Sequence, residues 1–339
     1  CQLRYATTRS TDPCYGFRQA FSEDRSPDGG LYLPERLPRL SREEILTLGR
    51  QPENTAVANL LNLFWEEKLT GWDLDFSVGR RWVRLCSLER KAKFCQCWHA
   101  PEGRIDSLNN FLSGRLGISW GFWGETAARI AVLGMGLSKL LIQEEEAPFD
   151  LAVVGGNFSA VFAGLCLKAM GFPVGKVIIC CNENNSPWEL VHLGTLRTDG
   201  VTVTTKTPEA DVWLPLGLEG VLCLLGGSAA AVEYARCAYM GSDYVPGEDL
   251  LKALRRLLYV SVVSDSRMLF TISGVLQTSD RLLSPYEALT YAGIQDYRAK
   301  GGENRLCLML SEKSPALDDL VCAQALGKKP EEVRAILRR

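Results

Sequence analysis

Residues 150–184 read Asp-Leu-Ala-Val-Val-Gly-Gly-Asn-Phe-Ser-Ala-Val-Phe-Ala-Gly-Leu-Cys-Leu-Lys-Ala-Met-Gly-Phe-Pro-Val-Gly-Lys-Val-Ile-Ile-Cys-Cys-Asn-Glu-Asn. Leu151–Val154 and Val177–Cys181 are short apolar runs, the pattern of parallel strands covered on both faces, and Phe158–Met170 between them has apolar residues at helical spacing. Strand, turn, helix and strand make a βαβ unit. Gly155 and Gly156 let the chain turn sharply into the helix, whose first N–H groups lack intrahelical partners and face an incoming anion. Two readings of this stretch stay open: a phosphate cup, or an ordinary crossover with a glycine turn and no ligand.

Outward from this unit, the chain has 339 residues, 46% hydrophobic and 23% charged, enough for one large core or two smaller ones. A net charge of -2 with interspersed Lys and Arg gives no electrostatic footprint for nucleic acid. The start at Cys1, read as a trimmed terminus, lacks an apolar signal core, and no stretch is expected to span a membrane, so a cytoplasmic protein is expected. Of the twelve cysteines, Cys86, Cys166, Cys180, Cys181, Cys223, Cys237, Cys307 and Cys322 sit inside apolar strands and helices, as small buried hydrophobes rather than a disulfide framework. Strand alternation would put Cys95, Cys97 and His99 on one face, but a zinc site needs a fourth ligand and none is near in sequence, so no metal is expected.

Residues 1–90 read as a front subdomain, with an extended start, a turn at Ser26–Gly30, a Ser41/Glu44 capping box and an amphipathic helix over Thr55–Trp65. A loop follows at Ala100–Gly103, then a helix over Glu125–Leu141 ending in the solvated run Glu144–Glu146. Residues 91–339 form the second unit. From Asp150 strands and helices alternate, with strands expected at Tyr259–Val263, Leu269–Ile272 and Leu306–Leu310, helices at Gly247–Leu258 and Tyr286–Arg298, and a helical tail from Leu317. That alternation argues an α/β fold with a mostly parallel sheet flanked by helices.

Several stretches, in order, resemble threonine synthases. Tyr5–Arg9, Phe17–Phe21 and Pro27–Pro38 look like that family's opening. Gly156-Asn157-Phe158-Ser159 is similar to the Gly-Asn-Phe-Gly loop that holds the phosphate of pyridoxal phosphate. Thr207–Val212 resembles a Ser-Pro-Ser-Met-Asp-Ile segment, Ser284–Ala288 an Asp-Pro-His-Thr-Ala segment, and Ser311–Ala316 a Ser-Thr-Ala-His-Pro-Ala segment. The resemblance implies the large domain of a fold-type II pyridoxal-phosphate enzyme, tryptophan synthase β-like, with Gly155, Gly156, Asn157, Phe158, Ser159 and Glu312 as its cofactor-binding positions.

The departures fall on the chemistry. Where the family carries Phe-Lys-Asp, with the lysine that forms the Schiff base, this chain has Arg104-Ile105-Asp106. An arginine near neutral pH keeps its proton and cannot act as that amine. Lys91 and Lys93 lie upstream, on the far side of the strand. Only Ser107–Leu151 separates this point from the phosphate loop, room for one helix and its connections, so the small domain is read as largely deleted. Trp120, Phe122 and Trp123 at the junction are expected to plug the old cleft or to form a self-association patch. Ser159 stands where the family has glycine, which should weaken phosphate binding, and Glu312 replaces the threonine that meets the pyridine nitrogen.

These departures lead to the expectation of a catalytically degenerate homologue, or pseudoenzyme: a binding scaffold for a partner subunit, a second copy or a small phosphorylated metabolite. It would have no catalytic residues and no cofactor, pyridoxal phosphate binding only weakly and without a covalent bond. The alternative is an active pyridoxal-phosphate-dependent lyase of amino-acid biosynthesis acting on O-phosphohomoserine, with a relocated lysine or a partner chain completing its site. A lysine amine at the cup would reverse the first reading.

Overall fold

The computed structural model describes residues 2–99, 102–144 and 146–339. The expectations at Cys1, Ala100, Pro101 and Glu145 lie outside the described residues.

The front of the chain forms an antiparallel sheet of β1 (Tyr5–Thr7), β2 (Ser10–Tyr15) and β3 (Tyr32–Pro34), with α1 (Phe17–Ser22) between β2 and β3. Then come α2 (Arg42–Arg50), α3 (Glu53–Leu61) and α4 (Gly71–Ser77). The Ser41/Glu44 capping box is formed: the Ser41 side chain accepts from the Glu44 N–H, and the Glu44 carboxylate accepts from the Ser41 N–H.

The main sheet has six strands. Chain order gives β4 (Arg84–Glu89), β5 (Ala92–Gln96), the short pair β6 (Trp98–His99) and β7 (Glu102–Gly103), then α5 (Arg104–Leu116) and α6 (Phe122–Gln143). The βαβ unit follows as β8 (Phe149–Val154), α7 (Ser159–Met170) and β9 (Val174–Cys181). After it come α8 (Ser186–Trp188), α9 (Leu218–Met240), α10 (Glu248–Leu257), β10 (Leu258–Val262), α11 (Asp265–Ser279) and α12 (Pro285–Ala299). The chain ends with β11 (Cys307–Ser311), α13 (Asp319–Leu326) and α14 (Pro330–Leu337). The sheet order is β10-β9-β8-β11-β5-β4, parallel throughout except that β4 runs antiparallel to β5. β4 joins this sheet from the front side of residue 90.

Strand alternation divides the interior in two. Cys95, Leu151, Val153, Val177, Ile179, Leu308 and Leu310 face a core shared with the front of the chain, α6, α7 and α9. Phe94, Ala152, Ile178, Cys180 and Met309 face α11, α12 and α13 on the other side.

Several expectations are corrected. Leu269–Ile272 lies inside α11, because a short apolar run does not distinguish strand from helix and the Ser264 side chain caps the Arg267 N–H at 3.2 Å to start a helix. The interval after Ser107 holds the rest of α5 and all of α6, broken by Gly117 at φ +67°. Helix α9 is long and apolar enough, by length and composition, to cross a membrane, which was not expected. It is broken at Gly227, φ +82°, and residues 218–222 are buried. Cys97 is buried while His99 is exposed, so the expected common face is split. Phe122 and Trp123 are buried: Trp123 packs edge-on against Tyr5 and Phe64, which ties α6 to the front of the chain, and Phe122 stacks on Phe162 of α7. Every described cysteine is free.

Candidate functional site

A cavity of about 360 Å³ opens at the carboxyl ends of β8 and β11, where Val154, Leu310 and Ser311 line it. The chain leaves these neighbouring strands in different directions, the place where open α/β sheets hold ligands. The volume is that of a small-molecule site.

The turn after β8 is built from backbone. The Gly155 N–H donates to Cys180 O at 3.1 Å, and the Asn157 carbonyl accepts from the Gly217 N–H at 2.8 Å. Gly156 at φ +47° and Phe158 at φ +70° are both left-handed. For Phe158 that conformation costs on the order of 1 kcal/mol, offset by burial of its ring. The Asn157 side chain accepts from the Ser159 N–H at 3.0 Å and donates to Glu125 at 2.9 Å. Next in the first turn of α7, the Ala160 and Val161 N–H groups precede the first intrahelical bond, which the Phe162 N–H makes to the Phe158 carbonyl at 2.9 Å.

Gly155, Gly156, Asn157, Ser159 and Glu312 all line this cavity, as the sequence reading grouped them. Phe158 does not: only its backbone shapes the turn. Arg104 heads α5 but is also outside the lining, its Nε buried without a partner. Lys91 and Lys93 are turned elsewhere, Lys91 donating to Asn304 O and Lys93 pairing with Glu144 at 2.7 Å.

The same cavity is lined by groups that sequence reasoning missed. Lys313, just beyond the end of β11, lines the cavity, bonded to Glu209 and 3.9 Å from Asp106 in the first turn of α5. A lysine amine therefore stands beside the turn that carries Arg104, reaching it from β11 instead of from α5. Burial opposes its charge, but the hydrogen bond and charge of Glu209, helped by Asp106 and Glu312, hold its pKa above the ordinary lysine value. Arg129 of α6 pairs with Glu312 at 2.7 Å; burial again works against the cation, and Glu312 and Glu125 outweigh it. Glu287 is buried, and burial raises its carboxyl pKa although it accepts from the Ser284 N–H and from Ser311 Oγ.

Glu209 is delivered by a polar loop. Asp211 accepts from the Thr205 N–H at 3.0 Å, from Thr205 Oγ1 at 2.6 Å and from Asn182 at 2.8 Å, while the Glu209 N–H donates to Tyr286 Oη at 3.2 Å. The signal for Lys313 was its position: it follows a buried parallel strand just as Gly155 follows β8.

Residues 4–80 match the family described as threonine synthase N terminus. The frog Xenopus laevis protein threonine synthase-like 2 is 24% identical over 225 residues, 64% of this chain and 46% of that protein. Threonine synthase from Pseudomonas aeruginosa is 30% identical over 152 residues, 43% of this chain and 32% of the relative. The matched stretches thus span less than half the length of these relatives. Among solved structures, pyridoxal-phosphate-bound threonine synthase from Brucella melitensis superposes with TM-score 0.84 at 18% identity, covering 100% of this chain and 95% of that one. Yeast threonine synthase superposes with TM-score 0.78 at 15% identity, covering 99% and 94%.

The expectation of no cofactor is corrected by these comparisons. The Brucella structure is pyridoxal-phosphate-bound, which points to that group as the cofactor of the family. That expectation counted lysines along the sequence around Arg104, whereas the fold brings a lysine from far along the chain, Lys313, into the lining of the cavity that holds the Gly155–Ser159 turn. Residues 4–80 thus resemble threonine synthases in sequence, and the whole chain resembles them in fold.

Proposed function

We propose that the cavity is a pyridoxal phosphate site in which Lys313 stands in for the lysine missing from the start of α5. The observation that carries this reading is a lysine amine in the wall of the same cavity as the Gly155–Ser159 turn. The residues fit the group at three points. Gly156, Asn157 and the first N–H groups of α7 would hold the phosphate, with the Ser159 hydroxyl as a further donor. Lys313 would face the aldehyde, and the Glu312 carboxylate the ring nitrogen. Bound there, the cofactor would supply an electrophilic carbonyl and a conjugated ring that accepts electrons.

What the chain does follows from its own charges. Glu209 keeps the proton on Lys313 Nζ in the free cleft; at pH 7 fewer than about one lysine in a thousand of ordinary pKa is a free amine. Before Lys313 can attack a carbonyl it must give up that proton, and Glu209, already hydrogen-bonded to Nζ, is the acceptor in place. Arg129 holds Glu312 in position and balances its charge. The fold and the resemblance together support a lyase of the threonine synthase type, acting on a phosphorylated amino acid such as O-phosphohomoserine.

A second reading is favoured by the same clamp. With Lys313 locked by Glu209 and Arg129 committed to Glu312, neither cation is free for substrate, as in a catalytically degenerate scaffold that binds anions without turnover. Calorimetric titration with pyridoxal phosphate tests the site: saturable binding is expected, and absence of heat contradicts it. Phosphate release from O-phosphohomoserine separates the readings, since turnover supports the lyase and its absence in the loaded protein supports the scaffold.

A further inference from the structure

A second cavity, of about 760 Å³, lies at the opposite end of the main sheet, where Pro148, Gly175 and Leu257 stand at the entries to β8, β9 and β10. Five cations, Lys168, Lys176, Arg256, Lys300 and Arg305, and one carboxylate, Glu303, line it. Arg305 is neutralised, by Asp150 at 3.1 Å and Glu303 at 2.9 Å. The other four are not. Among the described residues no carboxylate lies within ion-pair distance of Lys168, Lys176, Arg256 or Lys300.

Lys168 Nζ donates to the Val174 carbonyl at 2.8 Å, and Lys176 Nζ to the Arg256 carbonyl at 2.7 Å. Both ammonium groups are thus fixed in place by neutral carbonyl oxygens and have no ion pair of their own among the described residues. Burial lowers the pKa of Lys168, and the charges of Arg256 and Arg305 lower it further against the opposing charge of Asp150; burial and Arg305 lower that of Lys176 against Asp150 and Glu303. The cations therefore crowd one another at a cost that a bound anion would relieve. Tyr259 and Tyr297, with ring centroids 5.1 Å apart, add an aromatic wall. A concave site of this size with one aromatic side suits a small molecule, and the chain's net charge of -2 gives no wider basic surface for a polyanion.

We propose that this cavity binds a small phosphorylated metabolite carrying at least two negative charges, independently of the cleft at the other end of the sheet. Arg256 and Lys300 are exposed, and among the described residues neither side chain makes a hydrogen bond or ion pair, so they can be neutralised without unfolding the protein. The test is calorimetric titration of the full chain with pyrophosphate, and with inorganic phosphate for comparison, in wild type and in the double variant Arg256→Gln/Lys300→Gln. One-site binding of pyrophosphate, tighter than that of inorganic phosphate and weakened at least about tenfold in the double variant, is expected. No heat in the wild type, or an affinity within about twofold of wild type in the double variant, overturns the proposal. Such surviving binding would put the anion in the cleft instead.

Discussion

The charge on one side chain governs what the cleft can do. Glu209 is the main support of the Lys313 ammonium, so Glu209→Gln lowers the lysine's pKa toward and below its ordinary value. The expected outcome is that uptake of pyridoxal phosphate, followed by visible absorbance, shifts to lower pH in the variant; identical pH profiles would contradict the assignment. Glu287 gives a stability test with a definite sign. Burial raises its folded-state pKa above the ordinary 4.5, so the folded protein holds that proton more tightly than the unfolded chain does. Its contribution is full below about pH 4.5 and is lost as pH rises through the raised pKa. Urea unfolding of wild type and Glu287→Gln across this range should show wild type losing stability relative to the variant as pH rises, whereas parallel curves would refute it.

Among the elements, α2 and α6 meet at a contact that only glycine permits. A Cβ on Gly49 would lie 2.4 Å from the Ser138 carbonyl oxygen, in the backbone of α6 where nothing flexible can give way. Gly49→Ala should cost about 1–3 kcal/mol of stability, read as a lowered urea midpoint. The βαβ unit from β8 to β9 was legible because its strands end in continuous apolar runs, Leu151–Val154 and Val177–Cys181, and its turn carries two glycines. The Ser41 capping box was legible because its spacing is local. Lys313 and Glu209 were not, because 104 residues separate them, 209 to 313, and only the return of β11 between β8 and β5 brings them together. Helix α11 was obscured for a different reason: its middle, Leu269–Ile272, is as apolar as a strand, and the cap that decides it lies five residues earlier at Ser264.

At the scale of the molecule, one apolar cluster runs from Tyr5 and Phe21 through α6 to β8, β9 and α9, so the front of the chain and the main sheet share a core. They should therefore unfold together: near-ultraviolet circular dichroism and calorimetry are expected to report a single coincident transition, and two separated transitions would show independent units. This shared core fixes α6 and β11 relative to one another and so sets Lys313 in the lining of the same cavity as the turn after β8. The account turns on that placement. Incubating the protein with pyridoxal phosphate, reducing with borohydride and mapping the peptides by mass spectrometry tests it most directly. The account predicts the cofactor's mass on Lys313 and its loss in Lys313→Met; the mass on another lysine, or on none, would contradict it.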